Sequence, residues 1–332
     1  ILQAANIPWM SSESGETVML AMPYGHIAGV GGTLLAVHGG QQMVILAEFA
    51  PEAVLETIEQ HRIRRLFLVP AALKMLLEHP RAATTDFSSI TTFSYGASPI
   101  PLDLLKQGLA ALKCGFVQMY GMTETWGTVV ALPPEDHGED RLHVMASAGR
   151  ALPGVELKIL DEAGNALPPG SIGEVAIKSP SNMVGYWNRP EETAKTLIGD
   201  GWLRTGDAGL IDEDGYLFIQ DRMKDMIISG AENIYPAEVE SAIYGHPAVA
   251  DVAVFGVPDE KWGEAVKACV VLKPGAAPDA EAIIAHARTR IAGFKCPKSI
   301  DFIDALPRNP SGKILRRALR EPYWAGRERQ VN

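Results

Sequence analysis

From Pro51 to Tyr120 short apolar runs alternate with amphipathic stretches, and this rhythm restricts the fold more than any other feature. Pro51 and Glu52 open a helix expected to run to about Arg62, with Val54, Leu55 and Ile58 on one side. Leu66, Phe67, Leu68 and Val69 form a fully apolar strand ended by Pro70. A second helix through Leu77, a strand over 92–95, a helix over 101–113 and a strand over 116–120 follow. Such alternation predicts a mostly parallel sheet covered by helices. Ligands of these sheets bind beyond the carboxyl ends of the strands. Here those ends are Tyr95-Gly96-Ala97-Ser98-Pro99 and Tyr120-Gly121-Met122-Thr123-Glu124.

The texture changes near Ala146. Strands expected over 155–160, 173–178 and 217–219 are separated by Gly, Pro and Asp turns, which predicts a small β-rich subdomain. After Lys224 a compact α+β unit is expected, with helices over 236–244 and 279–292 and strands over 252–257, 265–272 and 299–303. The fold class is therefore α/β: a mostly parallel sheet with helices, a β-rich subdomain and a small C-terminal α+β domain joined by a hinge. The expected division is 1–145, 146–223 and 224–332, with 1–10 reading as the end of an element already under way.

A net charge of −10 over 332 residues argues against nonspecific nucleic-acid binding, because no broad cationic surface is implied. Cys114, Cys269 and Cys296 lie far apart without metal-type spacing, which suits thiols in a reducing, cytoplasmic compartment. Residues 17–47 lack Asp, Glu, Lys and Arg, but Pro23, His26 and repeated glycines interrupt the run. It reads as a buried helix and strand lining a cavity rather than a transmembrane span.

The stretch 201–236 holds the densest punctuation. A Gly215 turn separates Leu210-Ile211 from 216–219, so a hairpin is expected. Asp221, Arg222, Lys224 and Asp225 then make a charged break, suited to a solvated crossing between packed units. Asp207, in a Thr-Gly-Asp turn, is either an Asx-turn residue bonding its own backbone or a ligand acceptor. Tyr120-Gly121-Met122-Thr123-Glu124 is either a strand-to-helix turn with Glu124 near the helix start or a phosphate and cation site. Gly96 and Ala97 stand in a simple turn or beside a ligand. His26 and Trp126 are core residues or pocket walls. Lys313, after a loop of turn formers and at an expected helix start, is a solvated lysine or a mobile ammonium. The loop before it resembles half of a Walker motif, but Ile314 stands where Ser or Thr is required.

Thr205-Gly206-Asp207, Asp221-Arg222-Met223-Lys224-Asp225, Ser229-Gly230-Ala231-Glu232-Asn233-Ile234-Tyr235-Pro236 and Tyr120-Gly121-Met122-Thr123-Glu124 together resemble motifs of the acyl-adenylate-forming (AMP-binding) enzymes, and most closely fatty-acyl and aryl-acyl CoA ligases. The resemblance implies Thr123 on the α-phosphate of ATP and Glu124 on Mg²⁺. Gly96, Ala97, Tyr120, Gly121 and Ile219 would border AMP, with Asp207 and Arg222 on its ribose. His26 and Trp126 would face the carboxylic acid, Lys224 would be the pivot, and Gly230 would line a channel for CoA, which the Ala231 methyl either narrows or leaves unchanged. Lys295 and Lys298 are either solvated surface lysines or partners of CoA phosphates. Lys313 would be the catalytic lysine, its ammonium offsetting the repulsion between an attacking carboxylate and the phosphates.

The activity so implied converts a hydrophobic carboxylic acid, ATP and CoA to acyl-CoA, AMP and pyrophosphate through an acyl-adenylate. The family also has an upstream Ser/Thr/Gly-rich loop for the β- and γ-phosphates, absent here, so the chain resembles the C-terminal part of a longer enzyme. The alternatives are a catalytically inactive AMP-binding fragment and an adenylation module loading a carrier protein. Amino-acid-selecting modules of that kind have an Asp near the substrate amine, and the apolar stretch 17–47 offers none.

Overall fold

The computed structural model describes residues 7, 9, 14–230, 232–310 and 312–326, so Ala231 and most of 1–10 lie outside the described residues. The chain divides into two compact units. The first comprises the residues up to Thr205 with Gly209–Ile219, and the second comprises Gly206–Ala208 with the residues from Gln220 onward.

The first unit contains a seven-stranded sheet of β1 (Thr17–Leu20), β2 (Gln42–Ile45), β3 (Arg65–Leu68), β4 (Thr92–Gly96), β5 (Gly115–Met122), β6 (Gly127–Leu132) and β7 (Arg150–Ala151), in the order β2-β1-β3-β4-β5-β6-β7. The first five strands in chain order run parallel, because helices Ile27–His38, Pro51–Gln60, Pro70–Glu78 and Leu102–Leu112 make the crossovers. Pro51 and Pro70 open their helices, where the missing N–H costs no hydrogen bond. Leu55, Ile58, Leu68, Leu73, Phe93, Leu105 and Phe116 share one core at 0% exposure. At about 2 kcal/mol for each such side chain, this packing holds the strand ends on a stiff base.

Two expectations change here. Residues 17–47 do fold as strand, helix and strand, but only Gly29 and Ala36 of the helix are buried, and β2 ends the sheet with Ile45 half exposed. No described helix is long and apolar enough to cross a membrane. The β5 strand also outruns its expected end. It continues through Tyr120 and Gly121, turns in a 3₁₀ segment at Thr123–Thr125, and returns as antiparallel β6. Glu124 therefore stands in a strand-to-strand turn and not at a helix start. The β-branched and apolar run 128–132 makes β6, a strand absent from the expectations.

A second sheet comprises β8 (Glu156–Leu160), β9 (Gly173–Lys178), β10 (Leu197–Ile198) and β11 (Trp202–Ile211) in the order β10-β11-β9-β8, with β12 (Leu217–Arg222) paired to β11. The expected hairpin is present. Asp212 Oδ1 accepts the N–H groups of Asp214 at 3.0 Å and Tyr216 at 2.8 Å, closing the Gly215 turn. Asp207, expected in a turn, instead lies inside β11. Gly206 supplies a left-handed kink (φ 70°) there without ending the strand.

The second unit has a sheet of β13 (Ile227–Ser229), β14 (Glu232–Ile234), β15 (Val249–Asp259) and β16 (Gly263–Leu272) in the order β14-β13-β16-β15. A parallel strand, β17 (Ser299–Phe302), is added to β16. Helices Pro236–Tyr244 and Ala280–Arg288 pack through Val239, Ile243, Ile283 and Ala287 into its core. The second of these starts where expected, with Asp279 accepting the Ala282 N–H, but it stops at Arg288 and not near Ala292. Thr289 bonds the His286 carbonyl, and the N–H groups of Arg290 and Ile291 both return to Ala287. The last helix, Arg316–Trp324, begins three residues after Lys313, so Lys313 belongs to the preceding turn.

Candidate active site

In the first unit the candidate residues gather at the ends of β4 and β5. Gly96 closes β4 and Gly121 is the next-to-last residue of β5, and both are glycine for a steric reason. A Cβ on Gly96 would lie 2.1 Å from the Met119 carbonyl oxygen, and one on Gly121 would lie 1.8 Å from that of Gly127. No side chain fits either place without moving backbone. Just beyond, Ala97 (φ 64°) and Trp126 (φ 57°) both adopt the left-handed conformation, which is costly for residues other than glycine.

The turn between β5 and β6 is braced from inside by Thr125. Its buried hydroxyl accepts the Met122 N–H at 3.1 Å and lies 3.0 Å and 2.8 Å from the carbonyl oxygens of Met122 and Gly127. Thr123 is exposed at the tip. Glu124 is half-buried; its Oε1 accepts the Tyr186 hydroxyl at 2.8 Å, and its carbonyl accepts the Met183 N–H at 2.7 Å. Trp126 is 46% exposed, which removes the core-packing reading for it. His26 caps the Ile27–His38 helix, its Nδ1 accepting the Ala28 N–H at 3.2 Å. Under β4, burial lowers the pKa of His137 and keeps its ring neutral. With His137 Nδ1 facing the Pro133 carbonyl, Nε2 accepts from the buried Tyr95 hydroxyl at 3.0 Å.

In the second unit the Asp207 carboxylate is buried, and its Oδ1 receives Arg222 Nε at 2.9 Å. The neighbouring Asp221 is also buried; its Oδ1 accepts the Arg222 N–H at 2.7 Å and its Oδ2 the Ala237 N–H at 2.8 Å, at the start of the Pro236–Tyr244 helix. Burial pushes the Asp221 carboxyl up to about 6, with Arg316 opposing and Glu240 adding to the rise. Lys224 is exposed in the 3₁₀ segment Met223–Asp225. Gly230 is exposed and donates its N–H to the Trp262 carbonyl at 2.9 Å. Asn309 holds both ends of the Lys313 turn. Its Oδ1 accepts the Lys313 N–H at 2.9 Å, and its own N–H donates to the Lys313 carbonyl at 2.9 Å.

The sequence model of the AMP-binding enzymes matches residues 2–187, more than half of the chain, and that of the AMP-binding enzyme C-terminal domain matches 238–313. The chain belongs to the AMP-binding enzyme family. Among relatives, it is 43% identical over 331 residues to a fatty acid–[acyl-carrier-protein] ligase, ScoC, of Streptomyces coeruleorubidus, covering 100% of this chain and 63% of that one. It is 43% identical over 318 residues to a feruloyl-CoA synthase of an Amycolatopsis species, covering 93% of this chain and 62% of that protein. Among solved structures, an amide bond synthetase from Marinactinospora thermotolerans superposes with a TM-score of 0.87 at 37% identity, over 97% of this chain and 64% of that one. The chain thus spans a little over three fifths of the length of these relatives.

In this AMP-binding enzyme chain the first unit brings Gly96, Ala97, Tyr120, Gly121, Thr123, Glu124 and Trp126 to neighbouring strand ends. The second unit pairs Asp207 with Arg222. Lys295, a candidate partner of CoA phosphates, has its ammonium 2.7 Å from both Glu238 oxygens, while Lys298 is exposed. Sequence reasoning missed Tyr186, Thr125, Glu240 and Arg316. Only the Thr125 position, next to a recognised motif, offered a local signal. An open cleft of about 470 Å³ lined by residues that include Val184, Tyr186, Arg189, Thr193 and Leu197 holds none of the predicted residues, and its Tyr186 joins it to Glu124.

Proposed function

We propose that this chain is part of an AMP-forming ligase that activates a hydrophobic carboxylic acid. The acid's carboxylate oxygen attacks the α-phosphorus of ATP, pyrophosphate leaves, and an acyl-adenylate remains. A thiolate, that of CoA in the leading reading, then attacks the acyl carbon and AMP leaves. The observation that carries the reading is the β5–β6 turn flanked by Gly121 and Gly127, with exposed Thr123 at its tip and Glu124 oriented by Tyr186. Thr123 offers a hydroxyl to the α-phosphate, and the close-packed backbone at Gly96 and Gly121 offers a flat approach to the nucleotide.

Mg²⁺, when bound, neutralises phosphate charge. Among the described residues no group of three or more His, Cys, Asp and Glu forms a metal site. One carboxylate, Glu124, completed by phosphate oxygens is an ordinary Mg²⁺ arrangement, and the residues present fit it. Asp207 accepts the ribose hydroxyls beside Arg222, Ile219 borders the nucleotide, and His26 and Trp126 border the acid. Lys313 brings its ammonium to carboxylate and phosphate together, which lowers their repulsion in the transition state. The three-part division at 145/146 and 223/224, with Lys224 as pivot and Gly230 lining the thiol channel, belongs to the same proposal.

The test is acid-dependent pyrophosphate exchange by the full-length enzyme, with Lys313→Ala beside it. Loss of exchange in the variant, with folding intact, is the expected result; unchanged exchange removes Lys313 from adenylation. The relative that is a fatty acid–[acyl-carrier-protein] ligase supports a second acceptor, so product formation is followed with CoA and with a carrier protein in parallel.

A further inference from the structure

The start of the last helix and the charged segment after β12 are joined by one side chain. Arg316 sets its fork on Glu240, with Nε 3.1 Å from Oε1 and Nη2 2.7 Å from Oε2. Its Nη1 also lies 3.7 Å from Asp221 and 3.9 Å from Asp225. Arg320, one helical turn on, lies 3.7 Å from Asp225. Three carboxylates thus face two guanidinium groups, and the Arg316, Glu240, Asp221 and Asp225 side chains are at most 18% exposed. A bidentate guanidinium–carboxylate pair fixes direction as well as distance, which a lysine in its place would not.

Little slack separates this tether from Lys313. Arg308 and Ile314 form a β-bridge, Leu315 donates to the Pro307 carbonyl at 2.8 Å, and Asn309 bonds Lys313 at both its N–H and its carbonyl. Ile314 and Leu319 pack against a core that includes Ala253, Phe255, Cys269 and Leu306. The far end of the helix is fixed as well. The Trp324 indole donates to the Gly256 carbonyl at 2.9 Å, and the Tyr323 hydroxyl bonds Asp301.

We infer that Arg316 is a positioning residue for Lys313: through Glu240 and Asp225, which follow the proposed pivot at Lys224, and Asp221, which precedes it, Arg316 fixes the Lys313 turn against the segment around that pivot, so the proposed catalytic lysine is held in a set place beside it. The tether stands on geometry alone, whereas its consequence for catalysis rests on the adenylation reading. Arg316 touches no reacting group.

The experiment uses the full-length enzyme with Arg316→Met, Arg316→Lys, Glu240→Gln and the exposed neighbour Arg317→Met as control. Hydrogen–deuterium exchange is read over 306–315 and 221–226, and pyrophosphate exchange is measured over a range of acid concentrations at saturating ATP. Arg316→Met is expected to raise deuterium uptake in both segments at least tenfold, and to lower kcat about tenfold with KM for the acid unchanged. Arg316→Lys is expected to recover part of each effect, and Arg317→Met to change neither. Glu240→Gln keeps the inference testable should Arg316→Met fail to fold, and it is expected to loosen the same two segments. Unaltered uptake in both segments, or uptake that rises equally across the whole unit, overturns the inference. Wild-type enzyme that exchanges no pyrophosphate with any acid, while Arg316→Met still loosens both segments, overturns the adenylation reading and leaves the tether in place.

Discussion

The Tyr186 hydroxyl donates to Glu124 Oε1 at 2.8 Å across 62 residues of sequence. This bond sets the direction of the one carboxylate proposed to hold Mg²⁺. Replacing Tyr186 with Phe keeps the ring and removes only the donor, so Glu124 gains rotamer freedom. A hydrogen bond to a half-buried carboxylate is worth about 1.5 kcal/mol, or roughly tenfold. The Mg²⁺ concentration giving half-maximal pyrophosphate exchange should rise by about that factor, with KM for the acid unaltered. An unshifted Mg²⁺ dependence would separate Glu124 from the metal.

Gly121 is predicted to be intolerant of even one methyl group. A Cβ there would lie 1.8 Å from the Gly127 carbonyl oxygen and 3.1 Å from the Thr128 Cα, and both neighbours are backbone of the paired strand. Relief requires opening the β5–β6 pair, which also holds the Thr123–Thr125 turn. Gly121→Ala should cost about 2–3 kcal/mol of stability, within the range for forced overpacking. Urea denaturation measures it. A cost below about 0.5 kcal/mol would mean that the pairing is looser than the geometry indicates.

Much of this arrangement was legible in the sequence. Val54, Leu55 and Ile58 at helical spacing, and the apolar run at 66–69, are local patterns, so the parallel sheet and its crossovers could be read directly. What escaped was of two kinds. Chain direction at a turn depends on a partner strand: Gly121 and Gly206 look like strand or turn ends in isolation, yet both lie inside strands, because β6 and β12 supply the pairing. Long-range polar partners leave no periodic trace. Glu240 and Arg316 stand 76 residues apart, and nothing in the composition near either indicates the other. Asp207 shows both effects, since its Thr-Gly-Asp motif reads as a turn while the residue lies inside β11 and its carboxylate bonds the Arg222 guanidinium.

The Asp207–Arg222 pair is expected to be coupled. Asp207 is buried, and Arg222 Nε lies 2.9 Å away on a side chain that is 40% exposed. Full burial of both partners would make loss of one cost about 3–5 kcal/mol. Solvent screening of the exposed guanidinium reduces this to about 1–2 kcal/mol. A double-mutant cycle with Asp207→Asn and Arg222→Met, followed by chemical denaturation, should give a coupling energy of that size. Additive effects would show that the two side chains contribute independently.

Asp221 should tilt the stability of the second unit with pH. Its carboxyl is pushed up to about 6, first by burial and then by Glu240, with Arg316 and the N–H groups of Arg222 and Ala237 opposing. In the unfolded chain an aspartate titrates near 3.9. The folded state therefore holds this proton more tightly. Its contribution is fully present below about pH 4 and is lost as pH rises through about 6. A difference of roughly two units corresponds to on the order of 3 kcal/mol between those limits. Asp221→Asn removes the titration while keeping an acceptor for the backbone N–H groups. The stability of the variant minus that of the wild type should therefore rise by about 2–3 kcal/mol from pH 4 to pH 7. Carboxylates with lowered pKa values, such as Asp161 and Asp301, tilt stability the other way, but they are common to both proteins and cancel in the difference. Urea denaturation of the pair at pH 4.5, 5.5, 6.5 and 7.5 measures it, spacings chosen to bracket the value near 6. A flat difference would mean that Arg316 keeps Asp221 ionised throughout, and that the carboxylates beside it share the guanidinium more evenly than their distances imply.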